Sequence, residues 1–238
     1  MKVAILIPGQ PRFTYDFISF ISNLKGYKQA DVFVYVTNNN VPLITNNIEY
    51  NRVDDQWATF DNSWAYEKIK SLLLTNMTIQ SFEISDDYRQ TFPPVRNLFQ
   101  CGNSDNAFKM FYNIYKVDNL RQRFEEENNF KYDLIIRTRP DLGIFKELDL
   151  QKLNIQENQI IMPEHGWHGS PAANDQFAIG KPDTMKVYSS LFTRIKEFND
   201  SGFYFHPESM VAHNLSVHGI EQVRGNFITE LRSLPFIK

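Results

Sequence analysis

The chain alternates short apolar runs with longer stretches in which apolar residues recur every three or four positions. Short apolar runs are typical of buried strands, and strict alternation of apolar and polar residues is typical of half-buried ones. Strands are therefore predicted at residues 3–7, 31–36, 77–84, 134–136, 159–162, 176–180 and 220–223.

The longer stretches have the spacing of amphipathic helices. Helices are predicted at residues 13–24, 64–74, 104–127, 183–198 and 207–217. We expect Asp183 to cap the fourth of these helices, because short polar side chains accept hydrogen bonds from the first turn. Pro207 suits the first turn of the last helix, and Gly219 is expected to end that helix.

Strands that alternate with helices predict an α/β protein with a mostly parallel central sheet flanked by helices. No linker or repeat divides the sequence, so one domain over residues 1–238 is expected. Two polar segments fall outside this pattern. Residues 37–61 are predicted to form a long surface excursion, and residues 86–102 an irregular connection.

The composition excludes several classes of protein. Hydrophobic residues make up 42% of the 238 residues, which is typical of a globular chain. The net charge is −3 and no basic run is present, so no nucleic-acid partner is expected. The apolar run at residues 3–7 is too short for a signal peptide or a transmembrane segment. With Cys101 as the one cysteine, we expect a soluble, cytoplasmic protein in a reducing compartment.

Charged residues follow the apolar run at residues 134–136 abruptly. Pro140 cannot donate to a sheet ladder, so the strand is expected to end near Arg139. Arg137, Arg139 and Asp141 then lie at the carboxyl end of a strand, where open α/β sheets bind ligands. Two guanidinium groups and a carboxylate suit a diphosphate and a divalent metal ion. The alternative is an arginine–aspartate salt bridge that closes a loop.

A second candidate follows the first predicted strand. Gly9 lets the backbone approach a ligand closely, and it is followed by Gln10, Pro11 and Arg12. The guanidinium of Arg12 can reach a phosphate group. The segment lacks the glycine spacing of a dinucleotide-binding or phosphate-binding loop, so an ordinary strand-to-helix turn is the alternative.

Polar residues also begin two other predicted elements. Asn174 and Asp175 precede the strand at residues 176–180, where they suit the binding of sugar hydroxyls, and Asp175 also suits a general base. The alternative is an Asx turn that opens the strand. Glu208 lies in the first turn of the last helix, where it either acts chemically or simply complements the helix dipole.

The histidines give weaker signals. His165, Trp167 and His168 lie in a segment that also contains Gly166 and Gly169, a composition that suits a flexible lid over a site. His213 and His218 do not have the spacing of metal ligands, and no cluster of histidine and cysteine predicts a zinc site.

Several of these motifs belong to longer segments, which are residues 5–12, 30–34, 112–125, 132–141 and 174–180. Taken together, the segments resemble a family of GT-A-fold glycosyltransferases. That family includes bacterial proteins of polysaccharide and lipopolysaccharide synthesis and enzymes of large DNA viruses. The resemblance spans most of the chain and implies a GT-A-like (Rossmann-like) fold. Its most specific parts are Arg-Thr-Arg-Pro-Asp at residues 137–141 and Asn-Asp-Gln-Phe at residues 174–177.

The resemblance implies transfer of a hexosyl or deoxyhexosyl group from a UDP- or GDP-sugar to a hydroxyl of a glycan or glycoconjugate. If this transfer inverts the anomeric configuration, Asp175 and Glu208 are the two candidates for the catalytic base, and if it retains the configuration, neither needs to be that base. The donor-binding residues that the resemblance implies are Gly9, Gln10, Arg12, Arg137, Arg139 and Asn174.

A metal ion is also implied, because GT-A enzymes hold a divalent cation against the donor diphosphate with an Asp-x-Asp motif. This sequence has Arg139, Pro140 and Asp141 at those positions, so Asp141 alone matches. Either Asp141 binds Mn²⁺ or Mg²⁺ with waters and phosphates as the other ligands, or Arg139 replaces part of the charge of the metal.

Two other functions stay open. The missing first aspartate favours a GT-A-like module that binds a glycan or a nucleotide without catalysis. A nucleotidyltransferase is less favoured, because no glycine- and lysine-rich phosphate loop follows the first strand. The sequence leaves the acceptor, the linkage, the anomeric outcome and the oligomeric state open.

Overall fold

The structure is a computed structural model, which describes residues 1–10, 15–37, 62–85, 104–163, 173–203, 206–225 and 229–231. The predictions for most of residues 37–61 and for residues 86–102 lie outside the described residues. Those for Arg12, Cys101 and the segment that holds His165, Trp167 and His168 lie outside them too.

The described strands follow the apolar runs of the sequence. They are β1 (Lys2–Gly9), β2 (Leu24–Lys25), β3 (Gln29–Thr37), β4 (Met77–Ser85), β5 (Leu134–Arg137), β6 (Leu142–Ile144), β7 (Leu148–Asp149), β8 (Gln159–Pro163), β9 (Ala178–Gly180), β10 (Glu221–Gly225) and β11 (Thr229–Leu231). The short strands β2, β6, β7 and β11 form two small two-stranded sheets beside the central one, and the sequence pattern did not predict them.

The described helices are α1 (Tyr15–Asn23), α2 (Asn62–Leu72), α3 (Ser104–Glu127), α4 (Pro182–Ser189), α5 (Leu191–Asp200) and α6 (Pro207–Val217). A short 3₁₀ helix covers Leu150–Lys152. Within the described ranges, no helix combines the length and the apolar character that crossing a bilayer requires.

The prediction of one helix over residues 183–198 was wrong. The chain forms α4 and α5 instead, with Ser190 between them, and the N–H of Ser190 is shared between two carbonyls of the preceding turn. Asp183 does not cap α4. Lys181 is the N-cap and Pro182 occupies the first helical position, where the missing N–H of proline costs nothing.

The central sheet has the strand order β10-β8-β9-β5-β1-β3-β4. β1 pairs in parallel with β3 and β5, β3 with β4, and β8 with β10. β9 runs antiparallel to both of its neighbours, β5 and β8. The predicted α/β class, with a mostly parallel sheet flanked by helices, is confirmed. The reversed direction of β9 is an addition that the sequence pattern did not predict.

Helices cover both faces of this sheet, and the strand residues alternate between two cores. Leu6 belongs to the core that contains Phe111 and other residues of α3 to α6. Ile5 belongs to the opposite core, with Phe17 of α1 and Ile69 of α2. Burial on both faces explains why the strands read as nearly continuous apolar runs.

The strand order reverses between β1 and β5. From β1 the chain moves outward to β3 and β4, and it returns to place β5 on the other side of β1. In open α/β sheets such a reversal marks the ligand crevice outside the carboxyl ends of the strands. We call this side of the sheet the carboxyl edge. β9 begins at the same edge, because Ala178 pairs with Arg137 at the end of β5.

A buried charge network fixes the entry to β5 at the opposite, amino edge. Arg121 of α3 donates through Nε to Asp118 at 2.7 Å and through Nη1 to Glu125 at 2.6 Å. The other oxygen of Glu125 accepts the N–H of Tyr132 at 2.8 Å, and the Tyr132 hydroxyl donates to Asp31 of β3. Burial acts to lower the pKa of Arg121, but the two carboxylates outweigh it and raise that pKa. The network therefore ties α3 to the start of β5.

We expect Arg121→Ala to lower the free energy of unfolding by about 3–5 kcal/mol, because Asp118 and Glu125 would stay buried without their cation. Urea denaturation followed by circular dichroism measures the change. Arg123→Ala is the matched control, because Arg123 is exposed on the same helix and its loss should cost no more than about 0.5 kcal/mol. Equal effects of the two substitutions would contradict a stabilising role for the network.

Candidate functional site

β1 ends at Gly9, which has no side chain to cover the backbone. Gly9 has φ +117°, a conformation that residues with a side chain rarely adopt. A Cβ atom at Gly9 would meet no other atom within 4 Å, so the space beside this glycine is open in the described structure. Gln10 follows as a half-buried residue. Arg12, predicted to bind the donor, lies outside the described residues.

Arg137 ends β5 and is almost completely buried, with 1% of its surface exposed. Its Nη1 donates to the backbone oxygen of Asp175, and its Nε has no hydrogen-bond partner among the described residues. Burial lowers the pKa of this guanidinium, since a charge without water around it is destabilised. The guanidinium of Arg137 therefore joins the end of β5 to the segment before β9.

Arg139 forms a two-point ion pair with Asp141. Nε and Nη2 each donate to one carboxylate oxygen at 2.8 Å. A turn in which the N–H of Leu142 donates to the oxygen of Arg139 brings the two side chains together. Burial acts to lower the pKa of Arg139, but Asp141 and then Asp175 outweigh it and raise that pKa. The salt bridge considered as the alternative for this motif is thus present.

Asn174 forms the Asx turn that was the alternative for its motif. Its Oδ1 accepts the N–H of Gln176 at 2.8 Å and that of Phe177 at 3.0 Å. Phe177 is buried, so an unsatisfied N–H there would be costly. The turn explains why β9 begins at Ala178 and not at Gln176.

Asp175 reaches the carboxyl edge because β9 runs against β5. Its backbone oxygen is held by Arg137, and the hydroxyl of Tyr188 lies 3.5 Å from the same oxygen. The carboxylate of Asp175 makes no hydrogen bond or ion pair with any described residue. It acts electrostatically on both Arg137 and Arg139. The structure therefore brings Arg137, Arg139, Asp141 and Asp175 into one charged group.

Glu208 belongs to the same region through its backbone. Its oxygen accepts the N–H of Ala173 at 3.1 Å, which places the start of α6 against the segment that leads into Asp175. The carboxylate of Glu208 lies 3.2 Å from Nδ1 of His206. The side chain of Glu208 thus contacts its own helix start, whereas Asp175 belongs to the charged group itself.

The surroundings of Asp141, as far as the structure describes them, do not fit a divalent cation. Both carboxylate oxygens accept hydrogen bonds from Arg139, and a guanidinium at this distance repels a metal ion. Within the described ranges, no group of three histidine, cysteine, aspartate or glutamate side chains is arranged to hold a metal.

Sequence reasoning missed two residues of this site. Tyr188 lies on the apolar stripe of α4, and its ring is buried while its hydroxyl points to the backbone oxygen of Asp175. Thr138 is fully buried between the two arginines, and its hydroxyl has no partner among the described residues. A buried hydroxyl on an otherwise apolar stripe is the signal that singles out Tyr188.

No family model matches the chain, and a search of curated proteins returns no matching sequence. The fold and the site together define an α/β protein with helices on both faces of its sheet and a charged group at the switch point of the strand order.

We expect Asn174→Ala to lower the free energy of unfolding by about 1–3 kcal/mol, because two backbone donors lose their acceptor and one of them is buried. Asn174→Asp keeps an acceptor oxygen and should retain most of the stability. Urea denaturation of both variants measures the difference. The Asx turn would carry no stability if Asn174→Ala unfolded at the same urea concentration as Asn174→Asp and the unaltered protein.

Proposed function

We propose that this protein is a glycosyltransferase that moves a sugar from a UDP- or GDP-sugar to a hydroxyl group of a glycan or glycoconjugate. The observation that carries the proposal is the group of Arg137, Arg139, Asp141 and Asp175 at the switch point of an α/β sheet. The resemblance of the segments at residues 132–141 and 174–180 to GT-A-fold glycosyltransferases gives this group its chemical interpretation.

The reaction explains why such a site needs both signs of charge. The bond between the anomeric carbon and the diphosphate oxygen breaks, positive charge develops on the sugar, and negative charge develops on the leaving diphosphate. A guanidinium beside the leaving group stabilises the negative charge. Arg139 is the better placed of the two arginines for this role, because 27% of its side chain is exposed whereas Arg137 is buried.

The carboxylates suit the sugar side of the reaction. Where the anomeric configuration inverts, a carboxylate accepts the proton of the acceptor hydroxyl as the new carbon–oxygen bond forms. Asp175 is favoured over Glu208 for this role, because its carboxylate makes no hydrogen bond or ion pair with a described residue and only its backbone oxygen is engaged. The carboxylate of Glu208 lies against His206, so we propose that Glu208 holds the acceptor or the start of α6.

One observation favours a second candidate, a module that binds nucleotide or glycan without catalysis. Arg139 occupies both oxygens of Asp141, the residue that matches the second aspartate of the Asp-x-Asp motif. A binding module would retain nucleotide affinity and show no turnover.

A panel of nucleotides tests the proposal and separates the two candidates. Thermal unfolding with UDP, GDP and their common sugar conjugates identifies a donor, since a ligand at 100 times its dissociation constant adds about 2.7 kcal/mol of stability. Release of UDP or GDP from the stabilising conjugate measures turnover. Stabilisation with release supports the glycosyltransferase, stabilisation without release supports the binding module, and no stabilisation by any member contradicts both.

We expect Asp175→Asn to lower sugar transfer or donor hydrolysis at least tenfold, about 1.4 kcal/mol of transition-state stabilisation, while donor affinity is kept. Steady-state kinetics measures turnover, and calorimetry measures donor binding. The control is Asp183→Asn, because the exposed carboxylate of Asp183 pairs with Lys131 near the amino edge.

The same assay ranks the second carboxylate. Glu208→Gln should reduce turnover less than Asp175→Asn does, since the Glu208 carboxylate already contacts His206. Full turnover in Asp175→Asn would exclude Asp175 as the base, and a larger loss in Glu208→Gln would move that role to Glu208.

A further inference from the structure

Among the described residues, Arg139 and Arg194 both bind a carboxylate through Nε and Nη2, and they differ in what their Nη1 contacts. Arg194 of α5 donates through Nε and Nη2 to the two oxygens of Glu197, and its Nη1 donates to Oδ1 of Asn214 at 2.7 Å. Arg139 also donates through Nε and Nη2 to one carboxylate, that of Asp141. Nη1 of Arg139, however, donates no hydrogen bond to any described residue.

The unused edge of Arg139 is the feature that a ligand can use. A guanidinium has five N–H donors in a fixed plane, so a carboxylate on one edge leaves a second edge for another oxyanion. The exposures of the two side chains are similar, 27% for Arg139 and 21% for Arg194. Of these two arginines, only Arg194 donates a hydrogen bond from its second edge to another described residue, Asn214.

The neighbouring guanidinium of Arg137 favours an anion over a cation beside Arg139, whereas the carboxylates of Asp141 and Asp175 act with the opposite sign. The positive charge of Arg139 acts to lower the pKa of Arg137, which means that the two guanidinium groups repel each other. A phosphate at the free edge relieves that repulsion, whereas a divalent cation adds to it.

We infer that Arg139 binds the diphosphate of the nucleotide-sugar donor through its Nη1 edge, without a divalent metal ion, and that Asp141 is the residue that orients Arg139. The inference rests on the proposed function and deepens it. Asp141 holds the guanidinium plane by two hydrogen bonds, so that the free edge is preorganised for a bidentate contact with phosphate oxygens.

Calorimetric titration of the full-length protein with UDP and GDP tests the inference, once in excess EDTA and once with Mn²⁺. We expect the affinity to differ by less than about threefold between the two conditions, well under the 1.4 kcal/mol that a factor of ten represents. Titration with Mn²⁺ alone should show no site that Asp141→Asn removes. These measurements use the unaltered protein first, so they do not depend on how any variant folds.

Variants then assign the roles. Arg139→Lys should weaken binding of the nucleotide diphosphate about tenfold or more, because an ammonium group cannot make a planar two-point contact. Arg194→Lys, which breaks an equivalent ion pair elsewhere, should bind as the unaltered protein does. Asp141→Ala should weaken binding more than Asp141→Asn, because asparagine still accepts one of the two hydrogen bonds. Urea denaturation of each variant reports its fold separately from its affinity.

The outcomes distinguish the inference from the proposed function. Nucleotide binding or sugar transfer that EDTA abolishes overturns the inference and leaves the glycosyltransferase proposal intact. Equal affinity of Arg139→Lys and the unaltered protein also overturns it. If no nucleotide or sugar nucleotide binds in either condition, the proposed function fails and the inference fails with it.

Discussion

The arrangement of the site depends on one hydrogen bond, from the buried guanidinium of Arg137 to the backbone oxygen of Asp175. A buried cation is costly unless it is hydrogen-bonded, so this contact is strongly favoured once β5 and β9 are paired. It fixes the backbone of Asp175 against the end of β5, and the Asx turn of Asn174 fixes the residues that follow. The position of the Asp175 carboxylate is therefore set by the backbone around it and by no contact of its own among the described residues.

The sequence predicts the elements of this fold well, because burial determines the spacing of apolar residues within each strand and helix. Strands buried on both faces are apolar runs, and α3 shows the helical spacing over its whole observed length, Ser104–Glu127. The direction of a strand does not change that spacing, so the sequence does not reveal it. Ala178–Gly180 reads as one more buried strand, and its reversal follows from pairing with β5 and β8 far along the chain. The break at Ser190 is also invisible, since the apolar spacing continues across it.

The same limit applies to the candidate site. The Asx turn and the ion pair between Arg139 and Asp141 join residues two or three positions apart, so the sequence could suggest both. Arg137 and Arg139 look alike in sequence but differ in structure, because Arg137 is almost completely buried whereas 27% of the Arg139 side chain is exposed. Which arginine supports the backbone and which is open to a ligand depends on β9, and no spacing along the chain reports that.

The charge balance of the group bears on how the donor diphosphate would be held in the proposed reaction. Arg137 and Arg139 lie in one group with two carboxylates, those of Asp141 and Asp175. A diphosphate on the Nη1 edge of Arg139 would add negative charge to a group that already contains both signs. Arg139 can take up that charge because Asp141 engages only its Nε and Nη2, so binding the diphosphate does not require breaking the ion pair that orients the guanidinium. The donor would therefore be bound by a guanidinium whose orientation is set before the donor arrives.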